Sequence, residues 1–244
     1  MVISSGPSKA WASALFDSVD MENVLLRPKA VIFDMDGLLI ESEKHYRDSF
    51  LAASDEGGHG MAVDVYQRVC GSPWDVITKT IRSEYGEDFP MDNFRDAWLR
   101  HLAIQMADGV ALKDGVLEIL DLLDELHIPR AIATSSGHES VNRHLGPFDL
   151  TRRFDHILAR GDYAEPKPSP HPYLSAAKRL GFSPQDCLSL EDSYHGVQSA
   201  WSAGTQTIMV PDVAPATDAM REKCVAICDN LFEVAGLLKS AEAK

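Results

Sequence analysis

The sequence has few cysteines, no long apolar run and a deficit of basic residues. Its 244 residues include four cysteines, too few for a disulfide framework, so we expect free and mostly buried thiols (Cys70, Cys187, Cys224 and Cys228). No apolar run approaches the roughly 20 residues that a membrane span needs, so we expect no membrane partner. Lys and Arg number 23 against 37 Asp and Glu, a net charge of -14, which argues against nucleic acid as a partner.

The start of the chain lacks the features of a signal peptide. Residues 1–27 have neither a cationic start nor an apolar stretch, and they are acidic at Asp17 and Asp20. We therefore predict a cytoplasmic protein with an N-terminal extension over residues 1–28. No exposed apolar stripe stands out, so a monomer is the default expectation.

Short apolar runs alternate with helical patterns along most of the chain. They predict strands over residues 30–33, 131–133, 157–159, 187–190, 207–210 and 225–227. Apolar residues at helical spacing separate most of these runs. Strands that alternate with helices form right-handed βαβ units, so we predict an α/β fold with a Rossmann-like parallel sheet.

The stretch between the first two strands differs from the rest. Helical patterns such as Trp74, Ile77 and Ile81 recur there, and no convincing strand interrupts them. We therefore predict a helical domain over residues 44–112, inserted after the first strand. The α/β core domain then comprises residues 29–43 and 113–244.

Reactive side chains follow several of the predicted strands. Because the carboxyl ends of parallel strands meet at one edge of a sheet, we expect these side chains to converge. Each has a plainer interpretation: a hairpin turn, helix caps or a solvated loop lysine. Their coincidence at one edge favours a functional site, made of Asp34, Asp36, Thr134, Ser135, Lys167, Glu191 and Asp192.

The charges of this group point to a metal ion. Four carboxylates around one crevice raise one another's pKa values or need a cation, and one lysine cannot balance them. Mg²⁺ is a hard cation that takes carboxylate, phosphate and water oxygens, so Mg²⁺ is the predicted cofactor. Asp34 and Asp36 lie on one side of an extended backbone with Met35 opposite, so one can attack phosphorus while the other moves a proton.

Several common motifs are missing. The residues after Asp34 do not fit an EF-hand, and the sequence has no P-loop, GxGxxG or HExxH. His138 and His144 are six apart, which is the wrong spacing for one helix face, so we expect both on the surface.

Four sequence motifs closely resemble those of the haloacid dehalogenase-like hydrolase superfamily. The match is strongest to its phosphatase and phosphomutase branch with a helical cap, and it spans about residues 30–210. The motifs are Phe33-Asp34-Met35-Asp36-Gly37-Leu38-Leu39, Ala133-Thr134-Ser135-Ser136-Gly137, Lys167-Pro168-Ser169-Pro170 and Leu190-Glu191-Asp192-Ser193-Tyr194-His195-Gly196.

The resemblance implies a role for each site residue. Asp34 would be the nucleophile that forms an aspartyl-phosphate, and Asp36 the general acid and then the base. Thr134 and the Ser135 N–H would hold phosphoryl oxygens, and Lys167 would bridge the nucleophile and the phosphate.

The resemblance also implies the metal ligands and a mobile cap. Asp34, Asp192 and the backbone carbonyl of Asp36 would hold Mg²⁺, with Glu191 assisting. The helical domain would be the cap, and Gly71 resembles a cap-loop glycine.

The function predicted on this basis is a Mg²⁺-dependent phosphatase of a small phosphorylated metabolite, a sugar phosphate in the first place. A β-phosphoglucomutase-like phosphomutase is the alternative, although Tyr46 and Trp74 stand where that mutase has histidine and arginine; His45 is adjacent to Tyr46. A non-enzymatic phospho-receiver domain is a further alternative, but it is about half this length and has no cap.

Specificity is expected in the helical domain. Four of its side chains can face the substrate or merely decorate helices: Trp74, Lys79, Arg95 and Arg100. We expect packing for Trp74 and solvent exposure for the three charged residues.

Overall fold

The computed structural model describes residues 25–242 except positions 71, 73 and 108. Most of the predicted N-terminal extension lies outside the described residues, as does Gly71. The elements in chain order are β1 (Ala30–Phe33), α1 (Ser42–Glu56), α2 (Val63–Val69), α3 (Trp74–Tyr85), α4 (Met91–Gln105), α5 (Val116–Glu125), β2 (Arg130–Ala133), α6 (His138–Leu145), β3 (His156–Leu158), α7 (His171–Leu180), β4 (Cys187–Glu191), α8 (Tyr194–Ala203), β5 (Gln206–Met209), α9 (Asp218–Arg221), β6 (Ala226–Ile227) and α10 (Leu231–Glu242).

The six strands form one parallel sheet in the order β3-β2-β1-β4-β5-β6. Strand β1 lies between β2 and β4, with Val31 opposite Arg130 on one side and Leu188 on the other. The chain therefore passes to both sides of β1, which places a topological switch point between β1 and β4. All six predicted strands and the predicted α/β fold class are confirmed.

Both faces of the sheet are covered. Val31 and Phe33 point into a cluster with α5, α6 and α10, whereas Ala30 and Ile32 point into a second cluster with α7 and α8. All four residues of β1 are fully buried. This two-sided burial explains why the strands read as continuous apolar runs without polar alternation.

Helices α1 to α4 surround a hydrophobic cluster of their own. Phe50 is at its centre and makes edge-to-face contacts with Tyr66, Phe94 and Trp98, with a centroid distance of 5.1 Å to Phe94. The two segments that connect these helices to the sheet run side by side. The Glu41 N–H donates to the Ala111 carbonyl over 2.9 Å. We refer to residues 44–112 as the helical insert.

His138 and His144 differ from each other in exposure. His138 lies at the surface, where its Nε2 is 2.8 Å from the Asp162 carboxylate. The prediction that His144 is also on the surface is wrong, since only 5% of it is exposed. It comes one turn after buried Val141 in α6 and therefore faces inward. Burial lowers the pKa of its imidazole.

The cysteines agree with the sequence prediction. All four thiols are free; three are buried and Cys70 is half-buried. Within the part of the chain that the structure describes, no helix combines the length and the apolar composition needed to cross a membrane.

Candidate active site

The loop after β1 brings Asp34 and Asp36 to the edge of the sheet. The Asp34 N–H donates to the Leu190 carbonyl over 3.0 Å, which continues the pairing of β1 with β4. Gly37 then turns the chain with a φ of +81°. A Cβ on Gly37 would lie 2.2 Å from Oδ2 of Asp192, so glycine is needed both for the turn and for the close approach of that carboxylate.

Lys167 reaches the same place from the loop between β3 and α7. Its Nζ lies 2.5 Å from Oδ1 of Asp34 and 2.6 Å from Oε1 of Glu191. The lysine is buried and also sits over the ring of Tyr173, whose hydroxyl donates to Glu191. The two carboxylates raise the pKa of Lys167 well above its ordinary value although burial opposes them.

Asp34, Glu191 and Asp192 form a buried acidic cluster in which one oxygen of each lies within 4.8 Å of the others. Burial raises the pKa of Asp34 to about 8, with Lys167 opposing the rise. Burial and the Asp34 charge raise the pKa of Asp192 well above its ordinary value. Among the described residues, Lys167 is the one cation in contact with this cluster. One lysine leaves the three carboxylates with excess negative charge, which fits a hard divalent cation with oxygen ligands.

The carboxylate of Asp36 is held by the loop after β2. Its Oδ2 accepts a 2.7 Å hydrogen bond from the Ser136 hydroxyl and a longer one of 3.4 Å from Thr134. The Thr134 hydroxyl also accepts from the Ser136 N–H over 3.0 Å. Ser135 lines the adjacent cavity and is exposed to it. All seven predicted site residues therefore meet at one edge of the sheet.

A cavity of about 450 Å³ lies between this edge and the helical insert. Asp34, Asp36, Lys167 and Asp192 line it from the sheet. Glu43 lines it from the first turn of α1 and accepts hydrogen bonds from the Tyr66 hydroxyl (2.8 Å) and the Cys70 thiol (3.0 Å). Burial raises the pKa of Glu43, and these two hydrogen bonds oppose the rise.

Several polar residues of this cavity were not predicted from the sequence, among them Ser136, Glu43 and Arg160. Ser136 directly follows the predicted residues Thr134 and Ser135. A third consecutive hydroxyl side chain was the sequence signal that could have identified it. Glu43 lies in the segment Glu41-Ser42-Glu43, which matches no catalytic or metal-binding motif. Arg160 follows β3 and lines the cavity, but no sequence pattern marks it.

The candidate specificity residues of the insert lie elsewhere. Trp74 packs against the cluster around Phe50 and lies 5.1 Å from the guanidinium of Arg95. Arg100 pairs with Glu56 at the surface, and Lys79 is exposed. Tyr46 lines the cavity, whereas its neighbour His45 is not among the lining residues.

The fold and this site together define a class of protein. Carboxylates after β1, hydroxyls after β2 and a buried lysine surround the carboxyl ends of a parallel sheet, where α/β enzymes bind their ligands. The arrangement is that of a hydrolase of phosphate esters built on a Rossmann-like parallel sheet. The chain belongs to the haloacid dehalogenase-like hydrolase family, whose model matches residues 31–210.

Several relatives carry the names of phosphatases. The chain is 28% identical over 180 residues to a phosphorylated carbohydrates phosphatase of Thermotoga maritima, covering 74% of this chain and 83% of the relative. It is 29% identical over 196 residues to the fructose-1-phosphate phosphatase YqaB of Escherichia coli, covering 75% and 97%. The crystal structure of CbbY from Rhodobacter sphaeroides in complex with phosphate is 25% identical, with a TM-score of 0.70 over 85% of this chain and 96% of that one.

These similarities confirm the resemblance stated from the four motifs and the prediction of a phosphatase enzyme. The non-enzymatic receiver alternative is therefore wrong.

Proposed function

We propose that the protein is a Mg²⁺-dependent phosphatase of small phosphorylated metabolites, sugar phosphates in particular, that works through an aspartyl-phosphate on Asp34. The observation that carries the proposal is the contact between Asp34 and buried Lys167 at the cavity, 2.5 Å long, with Asp36 two residues away. A carboxylate held there by one cation is available to a phosphoryl group that enters the cavity.

In the first proposed step, a carboxylate oxygen of Asp34 attacks phosphorus. The bond between phosphorus and the leaving alcohol oxygen breaks, and Asp36 gives that oxygen a proton. In the second step Asp36 takes a proton from water, and the water oxygen attacks the aspartyl-phosphate. Phosphate leaves and the Asp34 carboxylate is restored, which is the usual logic of covalent catalysis with one acid/base group.

The phosphoryl oxygens need donors and positive charge. Lys167 supplies the charge, and its contacts with Glu191 and Asp34 keep its ammonium at the nucleophile. Thr134 and Ser135 supply a hydroxyl and a backbone N–H at the end of β2. Donors fixed in advance stabilise the charge that develops during transfer.

The acidic cluster suits Mg²⁺. Asp34, Asp192 and the backbone carbonyl of Asp36 are the proposed ligands. Glu191 is an auxiliary one because its Oε1 is already bound to Lys167 and Tyr173. When bound, Mg²⁺ offsets the negative charge of the carboxylates and of the phosphoryl group.

The helical insert, residues 44–112, is the proposed cap that determines specificity. The named activities of the two phosphatase relatives support a sugar phosphate as the substrate class. A phosphomutase is disfavoured because Tyr46, and not His45, lines the cavity and Trp74 packs within the insert. The cytoplasmic location and the monomeric state stay predictions from the sequence.

The experiment is a phosphate-release assay with sugar phosphates, phosphoglycolate and nucleotides, with Mg²⁺ or EDTA. Asp34→Asn should abolish release, whereas Asp92→Asn on the exposed side of α4 should leave it unchanged. Retained turnover in Asp34→Asn would contradict the mechanism. Isomerisation of a glucose phosphate on addition of a bisphosphate, without release of phosphate, would favour the mutase.

A further inference from the structure

We propose that the alcohol this enzyme releases is uncharged and turns an apolar face to the helical insert, so that substrates with a second phosphate or a carboxylate are rejected. This inference rests on the phosphatase function proposed above and specifies its substrate class. It follows from the charges and the surfaces that line the cavity.

The insert's side of the cavity is mostly apolar. Ile77 and Leu102 are buried there, Trp98 is half-buried, and Leu99 is 52% exposed. The indole N–H of Trp98 already donates to the Tyr46 carbonyl and the Ser49 hydroxyl, so the tryptophan offers the cavity carbon surface. An apolar surface of this kind favours the binding of ligands that place apolar groups against it.

The charge beside this wall does not favour an anion, since Glu43 in the first turn of α1, directly before the insert, is acidic. Among the described lining residues that helices α1 to α4 contribute, Glu43 is the one charged side chain. Two donors, the Tyr66 hydroxyl and the Cys70 thiol, hold its carboxylate in place. A second anionic group at this wall would lose water and face a carboxylate, which is how sites exclude unwanted ligands.

The cations of the cavity come from the sheet side. Lys167 is bound to Asp34 and Glu191. Arg160 also lines the cavity, and its guanidinium would be 3.8 Å from a Cβ on Gly137. Neither residue belongs to the insert.

The cavity also has room for an apolar substituent. A second cavity of about 1060 Å³ lies between α4 and α6 and shares Tyr46, Leu99, Leu102 and Ser140 with the first. Its lining includes Met106 and Phe148, and also Arg143, whose guanidinium is paired with Glu139 over 2.6 Å. An alcohol longer than a simple sugar can therefore extend past Leu99.

The test uses pairs of substrates that differ by one anionic group. They are fructose 1-phosphate with fructose 1,6-bisphosphate, and phenyl phosphate with 4-carboxyphenyl phosphate. Since a like charge brought against a carboxylate is costly, we expect kcat/KM to be at least about tenfold lower for the charged member of each pair. We also expect phenyl phosphate to be at least as good a substrate as fructose 1-phosphate.

A matched pair of variants tests the wall itself. Leu99 and Ile104 are both exposed on α4, but Ile104 lines neither cavity. Leu99→Arg should raise kcat/KM for the charged members several-fold, mainly through KM, because it adds a cation to the wall. Ile104→Arg should leave the ratio within each pair unchanged, and thermal melting of both variants checks their folding.

The outcomes separate this inference from the proposed function. Equal or faster turnover of the charged members would overturn the inference and leave the phosphatase function intact; loss of that turnover in Arg160→Gln would then assign the second anion to Arg160. If Ile104→Arg changed the ratio of kcat/KM between the charged and uncharged substrates as much as Leu99→Arg does, the inference would also be overturned. Absence of phosphate release from every substrate would overturn the proposed function, and the inference with it.

Discussion

The hydroxyl of Ser136 donates a 2.7 Å hydrogen bond to Oδ2 of Asp36, which lies 100 positions earlier in the chain. The same oxygen is 3.4 Å from the Thr134 hydroxyl. The shorter bond fixes the orientation of the Asp36 carboxylate at the cavity. Ser136 is thus a positioning residue for the proposed acid/base group.

Ser136→Ala removes that bond, and we expect kcat to fall about tenfold with little change in KM, since a misplaced acid/base group loses part of its contribution. Steady-state kinetics on the best substrate of the panel measures this. Ser140→Ala is the matched control because Ser140 lines the same cavity and, among the described residues, has no hydrogen bond to Asp36. A fall of equal size in both variants would argue against a specific role for Ser136.

Lys167→Met leaves Asp34 and Glu191 buried without their counter-ion. Removing one partner of a buried ion pair costs about 3–5 kcal/mol, so we expect the free energy of unfolding in EDTA at pH 8 to fall by about that amount. We also expect phosphatase activity to be lost. Urea denaturation is the measurement, and Lys178→Met on the exposed side of α7 is the control. Unchanged stability would contradict the role of Lys167 as counter-ion.

The acidic cluster makes stability depend on pH. The pKa of Asp34 is about 8 in the folded protein against an ordinary value of 3.8. The folded state therefore binds this proton more tightly than the unfolded state, and the stability it contributes at low pH is lost as pH rises from 3.8 to about 8. Asp192 acts in the same direction.

Asp192→Asn removes one of these acidic groups. In EDTA we expect the Tm of this variant to be higher than that of the unmodified protein, and the difference to be larger at pH 8 than at pH 5. Each kcal/mol gained in the free energy of unfolding raises Tm by roughly 2–4 °C. Thermal melting over this pH range measures the difference. The exposed pair Lys29–Asp186 provides a control in Asp186→Asn. A difference that grows towards low pH would contradict the raised pKa values of the cluster.

Mg²⁺ should counteract the loss of stability that the acidic cluster causes at high pH. We expect Mg²⁺ to raise the Tm of the unmodified protein more at pH 8 than at pH 5, because a metal ion competes with protons for the carboxylates. At 100 times its Kd a ligand adds about 2.7 kcal/mol. Asp192→Asn should lose most of this response, and EDTA should reverse it. A response that persists in the variant would remove Asp192 from the proposed ligands.

Arg130 provides a contrast at the other end of the sheet. It starts β2, and its buried guanidinium donates to the Asp124 carboxylate and, over 2.5 Å, to the Arg153 carbonyl. Arg130→Met should lower the free energy of unfolding by about 1–3 kcal/mol through these lost partners, and leave kcat unchanged. Arg152→Met, at a side chain that is 82% exposed, is the control. A selective loss of kcat would show that Arg130 acts on the site.

The sequence predicted the strands correctly, and it located the candidate site residues at the strand ends, because both signals are local. A strand that is buried on both faces is a continuous apolar run, so β1 is readable at residues 30–33 without knowledge of its neighbours. Asp34 and Asp192 directly follow such strands, and Asp36 comes two residues after Asp34. Their convergence needed one further rule, that parallel strands end at the same edge.

The sequence did not predict the burial of His144. The spacing of six residues showed that His138 and His144 lie on different faces of α6. It did not show which of these faces packs against the rest of the protein. That face is determined by Val141 and Leu145, which belong to the cluster on one side of the sheet.

By itself the sequence determined the alternation of strands and helices and the four motifs, since each depends on residues close together in the chain. Only the tertiary structure decided which side chains complete the site. The bond between Ser136 and Asp36 joins two strand ends, and the place of Glu43 and Leu99 at the cavity depends on how α1 and α4 lie over the sheet. Contacts of this kind arise from packing between distant segments, for which the local sequence carries no signal.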